Sequence, residues 1–185
     1  MTCYKEVELI GYEESVSEFL PKVLELLEYS ESFYNDFDLE WFDTNCPIKL
    51  LEQIKQIGGT IDRLVLFKVC ERNLDKFVDG GIHIDSGIAD YRLNLPLMNS
   101  DSIETRFYAD TTAVPVTKIV NKYGGTADFY IEQDLELIDK LVMSKPVIFP
   151  VKIPHGLFVL KDQFPRYILS IQFKNDLKLK ELVAR

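Results

Sequence analysis

The first of the chain's two histidines stands in the run Ile82-His83-Ile84-Asp85. In an extended strand, residues i and i+2 project to the same face, so this spacing sets an imidazole beside a carboxylate. The second histidine, His155, follows Pro154 and opens an apolar run far downstream. Two imidazoles and one carboxylate can occupy one face of a metal ion and leave the opposite positions open. That is the ligand set of Fe(II) sites that must also admit a co-substrate and O2. H-x-D by itself is a short pattern with a competing explanation, a satisfied histidine beside a strand-end aspartate.

Further polar side chains extend the pattern. Arg166 follows His155 by eleven positions, in Phe164-Pro165-Arg166-Tyr167. If His155 begins one strand and Arg166 the next antiparallel one, a hairpin brings them close. A guanidinium there can pair in bidentate fashion with the distal carboxylate of a dicarboxylic acid bound to the metal. The alternative is an ordinary arginine at a strand start on the surface. Arg92 and Asn94 share one face of the strand after H-x-D, opposite Leu93, Leu95 and Leu97. Facing inward they need partners, which a bound carboxylate or substrate would supply. Facing outward they are solvated. The sequence leaves both directions open.

Helices and strands must position these groups. Residues 15–29 carry Val16, Phe19, Leu20, Val23, Leu24, Leu26 and Leu27 at helical spacing, with Pro21 either starting or kinking the helix. A second helix is predicted over 47–57, ended by Gly58-Gly59. From there the pattern shortens to period two. Strands are predicted at 62–70, 81–85, 91–98, 105–109, 126–132, 145–151, 156–160 and 166–173, with a short helix over 134–143. Eight short strands behind a helical N-terminus predict a mainly β fold with flanking helices (α+β): a double-sheet barrel or jelly roll buttressed by the helical part. The expected organisation is one domain over 1–185, with helical residues 1–60, a β core over 61–175 and a tail at 176–185.

Bulk properties narrow the function classes. With 46% hydrophobic and 28% charged residues the chain has the composition of a soluble globular protein. A net charge of -9 repels phosphate backbones and anionic lipid, which disfavours nucleic acid binding through broad electrostatics. No apolar run approaches the ~20 residues of a membrane span, and the acidic N-terminal segment does not read as a secretion signal. Cys3, Cys46 and Cys70 are odd in number and widely spaced. They read as reduced thiols of a cytoplasmic protein, not as a disulfide framework or a structural zinc site. The acidic run 34–40 reads as solvated surface, or as a feature favouring a basic or peptide substrate. Nothing in the sequence signals an oligomeric state.

Taken together, these residues resemble the aspartyl/asparaginyl β-hydroxylase-like branch of the Fe(II)/2-oxoglutarate dioxygenases. Three stretches carry the resemblance: IHIDSGIADYRLNLPLMNSDSIETRFY (82–108), KPVIFPVKIPHGLFVL (145–160) and FPRYILSIQF (164–173). It covers about half the chain and leaves out the helical N-terminus. The resemblance implies a double-stranded β-helix, iron as cofactor, 2-oxoglutarate and O2 as co-substrates, and hydroxylation of an amino acid, peptide or protein side chain. It carries His83, Asp85 and His155 over as metal ligands, Arg166 as the main anchor of the 2-oxoglutarate carboxylate, and Arg92 as a pocket residue. Two positions depart from the pattern. Asn94 stands where the family often has a histidine; an amide can donate a hydrogen bond but carries no charge. Ile168 stands where many relatives place Ser or Thr beside the anchor, and Ser170 on the same face is the candidate substitute. Two other readings compete: a non-catalytic cupin-like binding or structural module, and an isomerase or thiol dioxygenase on the same barrel. The last pair more often uses three histidines, and this chain has two.

Overall fold

Period-two alternation from residue 61 onward places one row of side chains on each face of a strand. The structure, a computed structural model, describes residues 2–30, 32–71, 81–85, 89–109, 117–120, 126–130 and 135–184. Its elements, in chain order, are β1 (Lys5–Glu6), α1 (Tyr12–Leu26), β2 (Tyr34–Phe37), α2 (Leu39–Asn45), α3 (Ile48–Gly58), β3 (Ile61–Val69), β4 (Ile82–Asp85), β5 (Tyr91–Met98), a 3-10 turn (Ser100–Ser102), β6 (Ile103–Tyr108), β7 (Thr117–Val120), β8 (Thr126–Tyr130), β9 (Leu137–Val142), β10 (Val147–Pro150), β11 (His155–Val159), β12 (Arg166–Phe173) and α4 (Leu177–Val183). The strands form two six-stranded antiparallel sheets. Sheet I runs β1-β10-β5-β12-β3-β2 and sheet II runs β7-β8-β4-β11-β6-β9.

Sheet I is covered on both sides, and its two faces differ. Leu64 and Leu66 of β3, Leu93 and Leu95 of β5, and Leu169 and Ile171 of β12 pack in one cluster with Phe19 and Val23 of α1, Phe42 of α2, Leu50 and Ile54 of α3 and Leu179 of α4. Each fully buried side chain of this size contributes about 1.5–3 kcal/mol. The opposite face meets sheet II in a second cluster. There Val147 and Phe149 of β10 and Ile168 of β12 contact Phe107 of β6 and Leu141 of β9. Once the leucines of β5 are committed to the helices, Arg92, Asn94 and Pro96 must face the space between the sheets.

Several sequence expectations need correction. The first helix runs straight through Pro21 from Tyr12, with Gly11 at φ 68 as its N-cap, so Pro21 does not start it. The run 34–40 carries regular structure. Tyr34–Phe37 pairs with β3, and Asp38 caps α2 by accepting from the Trp41 backbone N at 2.7 Å. The largest miss is 134–143, expected as a helix. Leu137–Val142 is a strand pairing with β6 from Tyr108↔Leu137 to Glu104↔Val142, and its first expected residue lies outside the described ones. Tertiary pairing overrode local helical spacing. β7, unforeseen, pairs with β8, and the C-terminal segment carries α4. By contrast, β5 and β12 span the residues expected of them. Residues 131–132 of the expected strand at 126–132 lie outside the described residues. Among the described residues no helix is long and apolar enough to cross a membrane.

Candidate metal centre and its pocket

β4 and β11 are neighbours in sheet II, and the register sets His155 directly opposite His83. The two ring centroids are 4.7 Å apart. Asp85, two residues along β4 on the same face, brings Oδ1 to 3.7 Å from His83 Nε2. His155 is also opposite Phe107 of β6, a member of the inter-sheet cluster, so all three side chains point between the sheets. His155 lies deep, whereas the side chains of His83 and Asp85 are 27% and 32% exposed. The group therefore sits at a rim that a ligand can reach from solvent.

Hydrogen bonding sets the state of His155. Its Nδ1 is 2.8 Å from the Ile153 carbonyl. A carbonyl only accepts, so Nδ1 carries the proton and the Nε2 lone pair is left for another partner. Burial, helped by the nearby His83, lowers its pKa to about 4 against the pull of Asp85. The ring is therefore neutral at physiological pH, the form that binds metals. Burial pushes the Asp85 carboxyl up, but the imidazolium forms of His155 and His83 and the charges of Arg92 and Lys152 outweigh it, and the net effect holds Asp85 below the usual carboxylate range. Aromatic rings pack against both imidazoles. Phe129 stacks on His83 at 5.4 Å, and Phe149 meets His155 edge-on at 5.7 Å.

Sheet I faces this rim with polar groups. Asn94 pairs across to Ser170 and to Val147, and Arg92 pairs to Phe149. Arg166, Ile168 and Ser170 alternate along β12 on the same face, with Ile168 in the inter-sheet cluster. Arg92, Asn94, Arg166 and Ser170 are all buried. Among the described residues, Arg92 Nε, Asn94 Nδ2 and Arg166 Nε are buried without a hydrogen-bond partner. Burial alone lowers the Arg166 guanidinium to about 10. An unmet buried donor costs about 1–3 kcal/mol, and more when charged. Three unmet donors on one inner face call for an oxygen-rich anion.

The seven residues singled out from sequence all reach the inter-sheet space, the metal trio from sheet II and the other four from sheet I. One expectation about their connection fails: β11 and β12 do not form a hairpin, because they lie in different sheets. His155 and Arg166 stand on different sheets and are not related by a tight turn. Arg92 is the guanidinium whose charge reaches Asp85 and His155. The aromatic residues Phe107, Phe129 and Phe149 were not foreseen, since an aromatic on a strand carries no sign of which ring it will touch.

As the side chains stand, no group of three His, Cys, Asp or Glu among the described residues is posed to hold a metal ion. The donor types nevertheless suit Fe(II), and His83, Asp85 and His155 share one sheet face, so closing around an ion takes side-chain rotation. The orphaned donors of Arg166, Arg92 and Asn94 are of a type that suits anionic oxygens. Two clefts of about 550 and 460 Å3 open elsewhere. One lies beside Lys68 and Tyr167, and the other between α3 and α4.

In sequence the chain matches no protein-family profile and no curated protein. In structure it is similar to the non-haem α-ketoglutarate-dependent epimerase SnoN from nogalamycin biosynthesis, with a TM-score of 0.52 at 11% identity over 92% of this chain and 76% of that one. AviO1 from Streptomyces viridochromogenes Tue57 matches with a TM-score of 0.49 at 9% identity, over 92% and 88% of the two chains. At this identity the likeness to SnoN speaks for the fold: a mainly β protein of two antiparallel sheets with a few helices.

Proposed function

We propose that the chain is a non-haem Fe(II)- and 2-oxoglutarate-dependent dioxygenase that hydroxylates a small molecule or peptide. Its two sheets then form a double-stranded β-helix, a jelly roll with the N-terminal helices as buttress. The observation that carries this reading is a buried cationic side chain with an unmet donor among the described residues. Arg166 is 2% exposed and among the described residues its Nε has no hydrogen-bond partner, in a space whose other wall presents two imidazoles and a carboxylate. Such a charge is tolerated where a ligand completes it.

In this reading His83, Asp85 and His155 hold the iron. The neutral His155 presents Nε2 because Ile153 occupies Nδ1–H. Arg166 binds the distal carboxylate of 2-oxoglutarate and thereby orients the molecule along the inter-sheet space. Arg92 and Asn94 offer donors nearer the rim, where co-substrate and substrate meet. Phe129 and Phe149 pack against the two imidazoles and line the pocket beside them. Bound Fe(II) with 2-oxoglutarate and O2 supplies the oxidising power to remove hydrogen from an unactivated C–H bond.

The test is anaerobic titration with Fe(II) and then 2-oxoglutarate. The expected result is a visible charge-transfer band in the parent chain, absent from folded His83→Ala, Asp85→Ala and His155→Ala variants. Absence of the band in the parent would overturn the reading. The likeness to SnoN favours a second outcome on the same site, epimerisation, in which hydrogen is removed and returned without oxygen insertion. Product mass separates the two. A binding module that only retains the metal would release no succinate from 2-oxoglutarate.

A further inference from the structure

The segment between β10 and β11 touches both strands that carry the candidate ligands. Its Val151 carbonyl accepts from the Asp85 backbone N at 3.1 Å. Lys152 Nζ donates to the Asp85 carbonyl at 2.8 Å. The Ile153 carbonyl accepts from His155 Nδ1 at 2.8 Å. Three consecutive residues thus grip Asp85 twice and His155 once. The segment is itself anchored, since Val151 N donates to the Asp90 carbonyl and Tyr108 N to the Pro154 carbonyl, both at 2.9 Å. Two of the three contacts use backbone carbonyls that any residue supplies. The third depends on a side chain.

We infer that Lys152 is a positioning residue of the metal centre: by holding the Asp85 carbonyl it sets where the Asp85 carboxylate stands relative to His83 and His155. The inference rests on the metal-centre reading above. Asp85 is the last residue of β4, so a second tie at its carbonyl limits how far that strand end can swing. Groups that orient metal ligands are worth about 10–100-fold in metal affinity. The ammonium also acts in the opposite sense, because its charge repels a divalent ion. Lys152 is only partly buried, so solvent and salt screen that repulsion, whereas the directional hydrogen bond is not screened away. Positioning therefore outweighs repulsion, and the sign of the effect tells the two apart.

Co(II) is a suitable probe because it is not oxidised during the measurement and its visible absorption reports coordination. The full chain and its Lys152→Met, Lys152→Ala and Lys152→Arg variants are titrated with Co(II), and the metal-free melting temperatures are compared. The expected result is about 10–100-fold weaker Co(II) binding in Lys152→Met and Lys152→Ala. Lys152→Arg, which keeps a cationic donor, binds close to the parent, and all metal-free proteins melt alike. In an Asp85→Asn background Lys152→Met adds a smaller loss, because the amide left at that position is a weaker ligand to orient. Unchanged or tighter binding in Lys152→Met overturns the inference, as does an equal loss in the Asp85→Asn background. A parent chain that takes up no Co(II) overturns the metal-centre reading first, before any variant is compared.

Discussion

Replacing Arg166 by methionine separates stability from ligand binding at one position. Arg166 begins β12, pairs with Val69 and shares its strand face with Ile168. Burial alone lowers its pKa from the ordinary arginine range to about 10. At ~1.4 kcal/mol per pH unit, that is a penalty of about 3 kcal/mol on the charged form in the folded state. The unfolded chain keeps the guanidinium charged and solvated, so the penalty falls on the folded state at every pH below about 10. Methionine has similar length and no charge, and Ile168 beside it on the strand face lies in the inter-sheet apolar cluster. The ligand-free variant should therefore gain about 1–3 kcal/mol, a rise of roughly 2–10 °C in melting temperature for a chain of this size. Ligand should reverse the ranking. Under anaerobic conditions with Fe(II), 2-oxoglutarate at about a hundred times its Kd stabilises the parent by about 2.7 kcal/mol. Loss of the arginine–carboxylate pair costs ~2–5 kcal/mol of binding, more than about 30-fold in affinity. Paired melts with and without 2-oxoglutarate read both effects. A variant that melts below the parent without ligand, and still rises with 2-oxoglutarate, would refute the argument.

Three other predictions follow from burial and register. Because His155 is held neutral with a pKa of about 4, the unfolded chain binds the extra proton between pH ~6.5 and 4. Stability of the metal-free protein should fall across that window by at most about 3 kcal/mol; denaturant melts at pH 7.5 and 5 measure it, and His155→Gln should flatten the dependence. Asn94 is buried beside Ser170 with an unmet Nδ2, so Asn94→Leu should reduce substrate-coupled turnover and leave uncoupled 2-oxoglutarate decay nearly intact, once a substrate is found by screening for stimulated succinate release. Gly58 closes α3 against the ring of Phe173, which leaves no room for a Cβ; Gly58→Ala should lower stability by about 1–3 kcal/mol in denaturant melts, with metal uptake retained in the folded fraction.

Local spacing was enough to place some of this chemistry. H-x-D on a strand puts His83 and Asp85 on one face whatever the rest of the chain does, because the side-chain period of a strand is two. The same rule put Arg92 with Asn94 and Arg166 with Ser170, and β5 and β12 span the residues their alternation marked out. Tertiary structure decided what local spacing could not. The direction of Arg92 and Asn94 depended on which face of β5 the helices would claim, and the leucines of that strand settled it by packing on α1, α3 and α4. The strand at 137–142 exists because β6 offers it a partner, although its own spacing also fits a helix. His83 meets His155 through the register of two strands far apart in sequence. Arg166 stands on the other sheet and not across a hairpin. Those relations are long-range pairings whose energy comes from burying both sheets together, and no window of sequence contains it.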